Sequence, residues 1–177
     1  MQVDSQLTVD AIMQGVQKDA QGQHRLLVVG QPTYTVADAQ KLFLRKDFHH
    51  LPIVASDSDR TVIGIVSVSD IMRCYASDAT GDPTKVTLDT VMTKDPKTIT
   101  PETEVARAVS ILARSPFQSL PVVDAQGRAV GIVTTRDIVR FLDANYEEEV
   151  FQAVLEASRG RSAEEVRSSA AATKDGG

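Results

Sequence analysis

Two stretches of this chain pair a hydroxyl with a carboxylate three residues later: Ser67-Val68-Ser69-Asp70 and Thr134-Thr135-Arg136-Asp137. Each directly follows a Gly-Ile-Val triplet, at Gly64 and at Gly131. Two kinds of chemistry fit the pattern. One is a capping box, in which hydroxyl and carboxylate bond the backbone N–H groups at a helix start. The other is ligand capture. A helix N-terminus, with free N–H groups and a positive dipole end, suits a phosphate. The hydroxyl adds a donor, and the carboxylate accepts two hydrogen bonds from a ribose diol. Gly64 and Gly131 would let backbone or ligand approach the strand closely. Both copies keep the whole set, which favours the ligand reading over capping alone.

Other chemistries find less support. His49 and His50 enter a strand side by side, and strand neighbours point to opposite faces, so at most one of them faces a ligand. His24 is distant in sequence, and no His-Glu-x-x-His or Cys-x-x-Cys supplies metal ligands. No Walker loop, Gly-x-Gly-x-x-Gly or nucleophile elbow is present. The single cysteine, Cys74, lies on an apolar helical stripe and reads as packed rather than nucleophilic. Catalysis is not expected of these residues.

The elements that must position the two motifs are themselves duplicated. Leu51-Pro52-Ile53-Val54 and Leu120-Pro121-Val122-Val123 are apolar β-type runs ahead of each motif. Asp57 to Arg60 and Asp124 to Gly127 are turn-rich and close a hairpin in each copy. Upstream, Val36, Ala39, Leu42 and Phe43 recur at helical spacing, as do Val105, Ala108, Ile111 and Leu112. Thr35 and Thr103, or residues beside them, are candidate caps for these helices. Gln31-Pro32 is echoed by Thr100-Pro101, and Val9 to Met13 by Leu88 to Met92. The spacing between copies shortens along the chain, so length changes fall in loops, and about ten extra residues follow Met13. Leu26-Leu27-Val28-Val29 reads as a further short strand.

Bulk properties bound the partners. Net charge of −5 argues against a nucleic acid backbone, which needs clustered Lys and Arg. The longest apolar runs are far short of a membrane span, and residues 1–20 lack the apolar region of a signal peptide. One cysteine cannot form an internal disulfide, which fits a reducing, cytoplasmic setting.

The ordered, duplicated motifs resemble a tandem pair of cystathionine-β-synthase-type (CBS) domains, a Bateman module, over about residues 8 to 144. Gly64 to Asp70 is also similar to the corresponding segment in the nucleotide-sensing subunit of AMP-activated kinase. The resemblance implies an α/β (α+β) fold of two pseudo-symmetric half-domains, each a small sheet with flanking helices, packed sheet to sheet. It divides the chain into a first repeat at 8–77, a linker at 78–85 and a second repeat at 86–144. A C-terminal helix at 145–157, with an apolar stripe from Tyr146 to Leu155, and a disordered tail at 158–177 follow.

The same resemblance implies a regulatory ligand containing adenosine (AMP, ADP or ATP, then S-adenosylmethionine or NAD) in clefts between the halves, with no other cofactor. Asp70 or Asp137 would hold the ribose, while Ser67, Ser69 and Thr134 would lie near ribose or phosphate. The backbone at Leu51-Pro52-Ile53 and at Leu120-Pro121-Val122 would border the adenine. Each cleft would borrow a turn residue from the other copy, Thr100 for the Asp70 cleft and Gln31 for the Asp137 cleft. His49 and His50 occupy positions of basic phosphate contacts in some relatives; the second copy has Gln118 and Ser119 there, with Arg136 as its own cation. The Asp70 cleft is therefore expected to be the better of two unequal sites. Expected partners are an adenosine-type small molecule, a second copy in a homodimer and an effector protein. The competing reading is a structural dimerisation module without ligand.

Overall fold

The computed structural model describes residues 7–16, 26–46, 48–76 and 82–145. It falls into two compact units, 1–138 and 139–177. The described part of the second unit, residues 139–145, is helical, and Asn145 there donates to the Phe141 carbonyl at 2.7 Å. The proposed C-terminal helix from residue 146 and the tail at 158–177 lie outside the described residues.

The first unit carries the duplication. Helix α1 (Val9–Val16) precedes α2 (Val36–Lys46), strands β1 (His50–Val54) and β2 (Val62–Ser67), and α3 (Val68–Ala76). A short α4 (Leu88–Val91) and β3 (Thr93–Lys94) lead to α5 (Val105–Ala113), β4 (Ser119–Val123) and β5 (Ala129–Thr134). Residues 135–138 begin a further helix, α6. One sheet runs β1-β2-β3 and the other is the β4-β5 hairpin, all antiparallel. Both hairpins carry a bulge at the same place, between Ile53 and Val54 and between Val122 and Val123. The sheets meet near the hairpin ends. The Val62 N–H donates to the Gly127 carbonyl at 3.0 Å, and the Ala129 N–H donates to the Arg60 carbonyl at 2.9 Å. The α/β (α+β) class with two small-sheet halves is what the structure shows.

Periodicity places the helices correctly on the core. Val36, Ala39 and Phe43 on α2 are buried, as are Val105, Ala108 and Leu112 on α5. They cover strands whose apolar faces, Leu51, Ile53 and Val66 in one copy and Leu120, Val122 and Val133 in the other, are fully buried. Area removed from water, at about 25 cal/mol per Å², drives this packing. Thr35 caps α2 in a full box. Its hydroxyl donates to Asp38 Oδ2 at 2.7 Å and accepts from the Asp38 N–H at 3.2 Å. Those bonds from Thr35 hold the Asp38 carboxyl below the usual carboxylate range.

Three expectations need correction. Leu26 to Val29 form no strand. Leu26 is 93% exposed, and pairing is confined to Gly30, whose N–H and carbonyl bridge Pro52 and Val54 of β1 at 2.9 Å each before Pro32 turns the chain. Thr103 does not cap α5. Glu104 stands at that position without a side-chain cap, and the Thr103 hydroxyl instead accepts from the Thr100 N–H at 3.0 Å. Third, the protein atoms that come closest to the glycines of the motif are methionine side chains rather than backbone. A Cβ on Gly64 would collide with the Met92 sulfur, and one on Gly131 with the Met13 sulfur.

Those methionines reveal an exchange. Helix α1 precedes the first repeat yet packs on the second: Val9 and Asp10 donate to the carbonyls of Thr103 and Pro101 at 2.8 and 2.9 Å. Helix α4 does the reverse, with Leu88 and Asp89 donating to the carbonyls of Tyr34 and Pro32 at 2.8 and 3.1 Å. Each half is completed by the segment that leads into the other.

Candidate functional site

Both hydroxyl–carboxylate motifs sit where a strand ends and a helix starts. In the first, Asp70 Oδ2 accepts from the Ser67 N–H at 2.7 Å and from its hydroxyl at 2.6 Å, and Ser67 Oγ accepts from the Asp70 N–H at 3.2 Å. The second repeats this: Asp137 Oδ2 accepts from the Thr134 N–H at 2.9 Å and its hydroxyl at 2.7 Å, and Thr134 Oγ1 accepts from the Asp137 N–H at 3.2 Å. The capping box is thus formed in both copies. It consumes one carboxylate oxygen in each and leaves Oδ1.

The two Oδ1 atoms differ. Arg73, one turn along α3, donates to Asp70 Oδ1 in an ion pair. Among the described residues, Asp137 Oδ1 accepts no hydrogen bond and Asp137 makes no ion pair. Asp70 is mostly buried, with a side chain 13% exposed, whereas that of Arg73 is 74% exposed. A ribose diol reaching Asp70 would have to displace a guanidinium held from the solvent side. The Arg73 contact was readable, since Asp and Arg three apart on a helix are neighbours.

The strands bring further residues to the same place. His50 is the register partner of Ser67, and Ser119 that of Thr134. The Val68 N–H donates to the His49 carbonyl and the Thr135 N–H to the Gln118 carbonyl, both at 3.0 Å, so each helix start is tied to the neighbouring strand's entry. His50 is half-buried and His49 exposed, in keeping with strand alternation. Burial lowers the His50 pKa from 6.5, repulsion from His49 adds to that, and attraction from Asp70 opposes it. His50 is therefore neutral at pH 7 and offers a ring donor or acceptor rather than a positive charge. Leu51, Pro52 and Ile53 are buried in β1, as are Leu120, Pro121 and Val122 in β4.

Ser69 and Arg136 are exposed on the first turns of their helices. Thr100 is exposed and, among the described residues, bonded only within its own turn, while Gln31 accepts from the Tyr34 N–H at 3.0 Å. Among the described residues, no hydrogen bond or ion pair joins Thr100 to Ser67 or Asp70, or Gln31 to Thr134 or Asp137. Nor do His, Cys, Asp and Glu side chains cluster among the described residues in a way that could hold a metal ion. No described helix is long and apolar enough to cross a membrane.

Comparison with known proteins bears on this arrangement. The CBS domain family profile matches residues 17–77 and 88–144. Among curated relatives, an uncharacterised 17.7 kDa protein of Acidianus ambivalens is 32% identical over 114 residues, covering 64% of this chain and 66% of its own length. An inosine-5'-monophosphate dehydrogenase of Korarchaeum cryptofilum is 30% identical over 114 residues, 64% of this chain but 22% of the enzyme. The chain thus spans about two thirds of the first relative and about a fifth of the enzymes it matches. Among solved structures, CBSX2 in complex with AMP is 28% identical with a TM-score of 0.61, covering 75% of this chain and 93% of that one; another CBSX2 structure names Arabidopsis thaliana as its source. The CBS domain pair of protein MJ0100, in complex with 5'-methylthioadenosine and S-adenosyl-L-methionine, is 26% identical with a TM-score of 0.57, covering 66% and 93%.

Proposed function

The chain belongs to the CBS domain family, and on that footing we propose that it is a regulatory module that binds an adenosine-containing ligand and signals to a partner protein. AMP, ADP and ATP are the leading ligands, with S-adenosylmethionine and NAD next. The observation that carries the proposal is the double occurrence of a strand-to-helix junction with hydroxyl, carboxylate and helix N-terminus together. Similar CBS pairs hold AMP or S-adenosylmethionine, which supports the ligand class. The division into repeats at 8–77 and 86–144 around a linker belongs to the same proposal, as does a cytoplasmic setting consistent with one buried cysteine. Catalysis is assigned to other chains or other domains.

In this reading, Asp70 or Asp137 accepts the ribose diol through Oδ1. Ser67, Ser69 and Thr134 border ribose or phosphate, Thr100 and Gln31 reach across from the opposite copy, and the β1 and β4 backbones flank the adenine. The sites are unequal, with the Asp70 cleft ranked first for its His50, Ser69 and Thr100. Arg73 is part of that site: turning away from Asp70, it frees Oδ1 and carries its charge toward the phosphates. A ligand touching both halves favours one arrangement of them and passes that preference to a partner.

Thermal shift against AMP, ADP, ATP, NAD, S-adenosylmethionine and a guanine nucleotide tests this. A ligand at a hundredfold excess over its Kd adds about 2.7 kcal/mol, or roughly 5 to 11 °C. We expect a selective rise with one adenosine compound, lost in Asp70→Asn and largely kept in Asp137→Asn. No shift in nucleotide-free protein would favour the structural module, a reading supported by apolar side chains exposed on α2 and α3.

A further inference from the structure

Away from the motif, an open concavity of about 480 Å³ lies along α5. That volume falls in the range of small-molecule sites, about 300–1,000 Å³. Its walls hold three cations, Arg107 and Arg114 from the helix and its C-terminal end and Lys97 from the loop before it. Ser110 and Ser115 also line it, and the ring of Phe117, 38% exposed, supplies a flat apolar surface. Seven residues make two helical turns, which sets the two arginines on one face about 10 Å apart.

Charge gives this arrangement its meaning. The chain is acidic overall, yet here three positive side chains converge. Every ion pair formed among the described residues leaves Lys97, Arg107 and Arg114 out. The duplication carries part of this cluster, since Arg45 and Phe48 of the first copy match Arg114 and Phe117. Where the second copy has Lys97 and Arg107, however, the first has Val28 and Asp38, and Asp38 pairs with Lys41 at 3.6 Å. Like charges gathered without partners raise the energy of the free protein, and an anion that met all three would relieve it.

We propose that this concavity on the second copy is a further ligand site that takes a small molecule bearing two or more phosphate groups. Three cations lining one concavity suit a polyanion, and the planar arginine forks suit bidentate contact with phosphate. Lys97 neutralises the group between them, the serine hydroxyls donate to its oxygens, and Phe117 covers an organic portion. None of these residues belongs to the sites at Asp70 and Asp137, so the inference stands independently of the adenosine reading.

Calorimetric titration of the full chain with inorganic phosphate, pyrophosphate and tripolyphosphate tests it at two salt concentrations. Tripolyphosphate should bind at least tenfold more tightly than phosphate and weaken as salt rises. Arg107→Glu with Arg114→Glu should abolish the binding, while Arg136→Glu should leave it. Both replaced residues are exposed, so the fold should survive; unchanged thermal midpoints check this, and Arg107→Gln alone, expected to weaken binding severalfold, provides a milder variant. Absence of tripolyphosphate binding would overturn the proposal, as would binding that survives the double reversal or is lost with Arg136→Glu. Anionic vesicles form the remaining arm: chain that binds them but not tripolyphosphate would point to a lipid surface and overturn it equally.

Discussion

At the scale of single residues, Asp70 and Asp137 each serve a helix cap with Oδ2, while Oδ1 pairs with Arg73 in Asp70 and accepts no hydrogen bond among the described residues in Asp137, which governs how they can be tested. Alanine would remove both roles and cost about 1 kcal/mol in lost capping. Asparagine keeps a carbonyl oxygen for the Ser67 or Thr134 donors and turns Oδ1 into a donor that a ribose hydroxyl cannot use in the same way. Asp70→Asn should therefore lose ligand with a stability change below about 1 kcal/mol, whereas Ser67→Ala should lower stability by about 0.5–2 kcal/mol. Urea denaturation beside ligand titration separates the two; equal stability losses would show that the cap, not the ligand, explains the motif. His50 makes a second prediction. Burial lowers its folded pKa from 6.5, so the unfolded chain binds more protons in the window just below that value. The stability His50 contributes is present above pH 6.5 and is lost as pH falls through that window toward the folded pKa. His50→Gln should flatten the dependence of the urea midpoint between pH 7.5 and 5.5, and an unchanged slope would remove His50 as its source.

At the scale of elements, the question is what holds α1 and α4 on the opposite copies. The answer lies in Met13 over Gly131 and Met92 over Gly64. A methyl group at Gly131 would force the Met13 side chain aside. Overpacking costs about 1–3 kcal/mol, with the lower end expected here because methionine can shift. Shortening Met13 to alanine opens room for that methyl. The Gly131→Ala, Met13→Ala pair should therefore be less destabilising than the sum of its singles by about 0.5–3 kcal/mol. Additive losses in equilibrium unfolding would mean that the two positions do not meet. This contact also shows where sequence reading reaches its limit. Helical spacing exposed α2 and α5, and apolar runs exposed all four hairpin strands, because those signals are local. The exchange is set by contacts distant in sequence, some ninety to one hundred and twenty residues apart for α1 and some thirty to sixty for α4, and no periodicity encodes it; the matching Met13 and Met92 were its only trace. Leu26 to Val29 misled for the opposite reason: a β-rich composition found backbone pairing only at Gly30. For the candidate site, His50, Ser67 and Asp70 were legible together because a hairpin fixes their register. Thr100 and Gln31 depend on how one copy faces the other.

At the scale of the whole molecule, regulation by two similar halves requires a surface on which their arrangement is read. The Tyr75 hydroxyl of α3 donates to Gln40 Oε1 of α2 at 2.7 Å, locking the outer faces of these helices together. Leu44 lies one turn from Gln40 and Met72 one turn from Tyr75, so these two helices present two apolar side chains, 80% and 61% exposed, flanking that contact. Val109, which stands on α5 where Gln40 stands on α2, is exposed as well. Solvent gives such a surface no favourable partner, and a second copy of the same face does. The homodimer expected from the sequence would make its contact through this face. An interface of about 800 Å² per partner is the usual requirement for a stable pair. The measurement is mass by light scattering at tens of micromolar chain. Wild type should run at twice 19.1 kDa, and Leu44→Glu with Met72→Glu at the single mass, with unchanged circular dichroism. A monomeric wild type would refute the dimer, and a charge-substituted chain that stays dimeric would place the contact on another face. If ligand and dimer are coupled, the adenosine compound that raises the thermal midpoint must also shift the dissociation constant of the pair, and by the same factor in both directions.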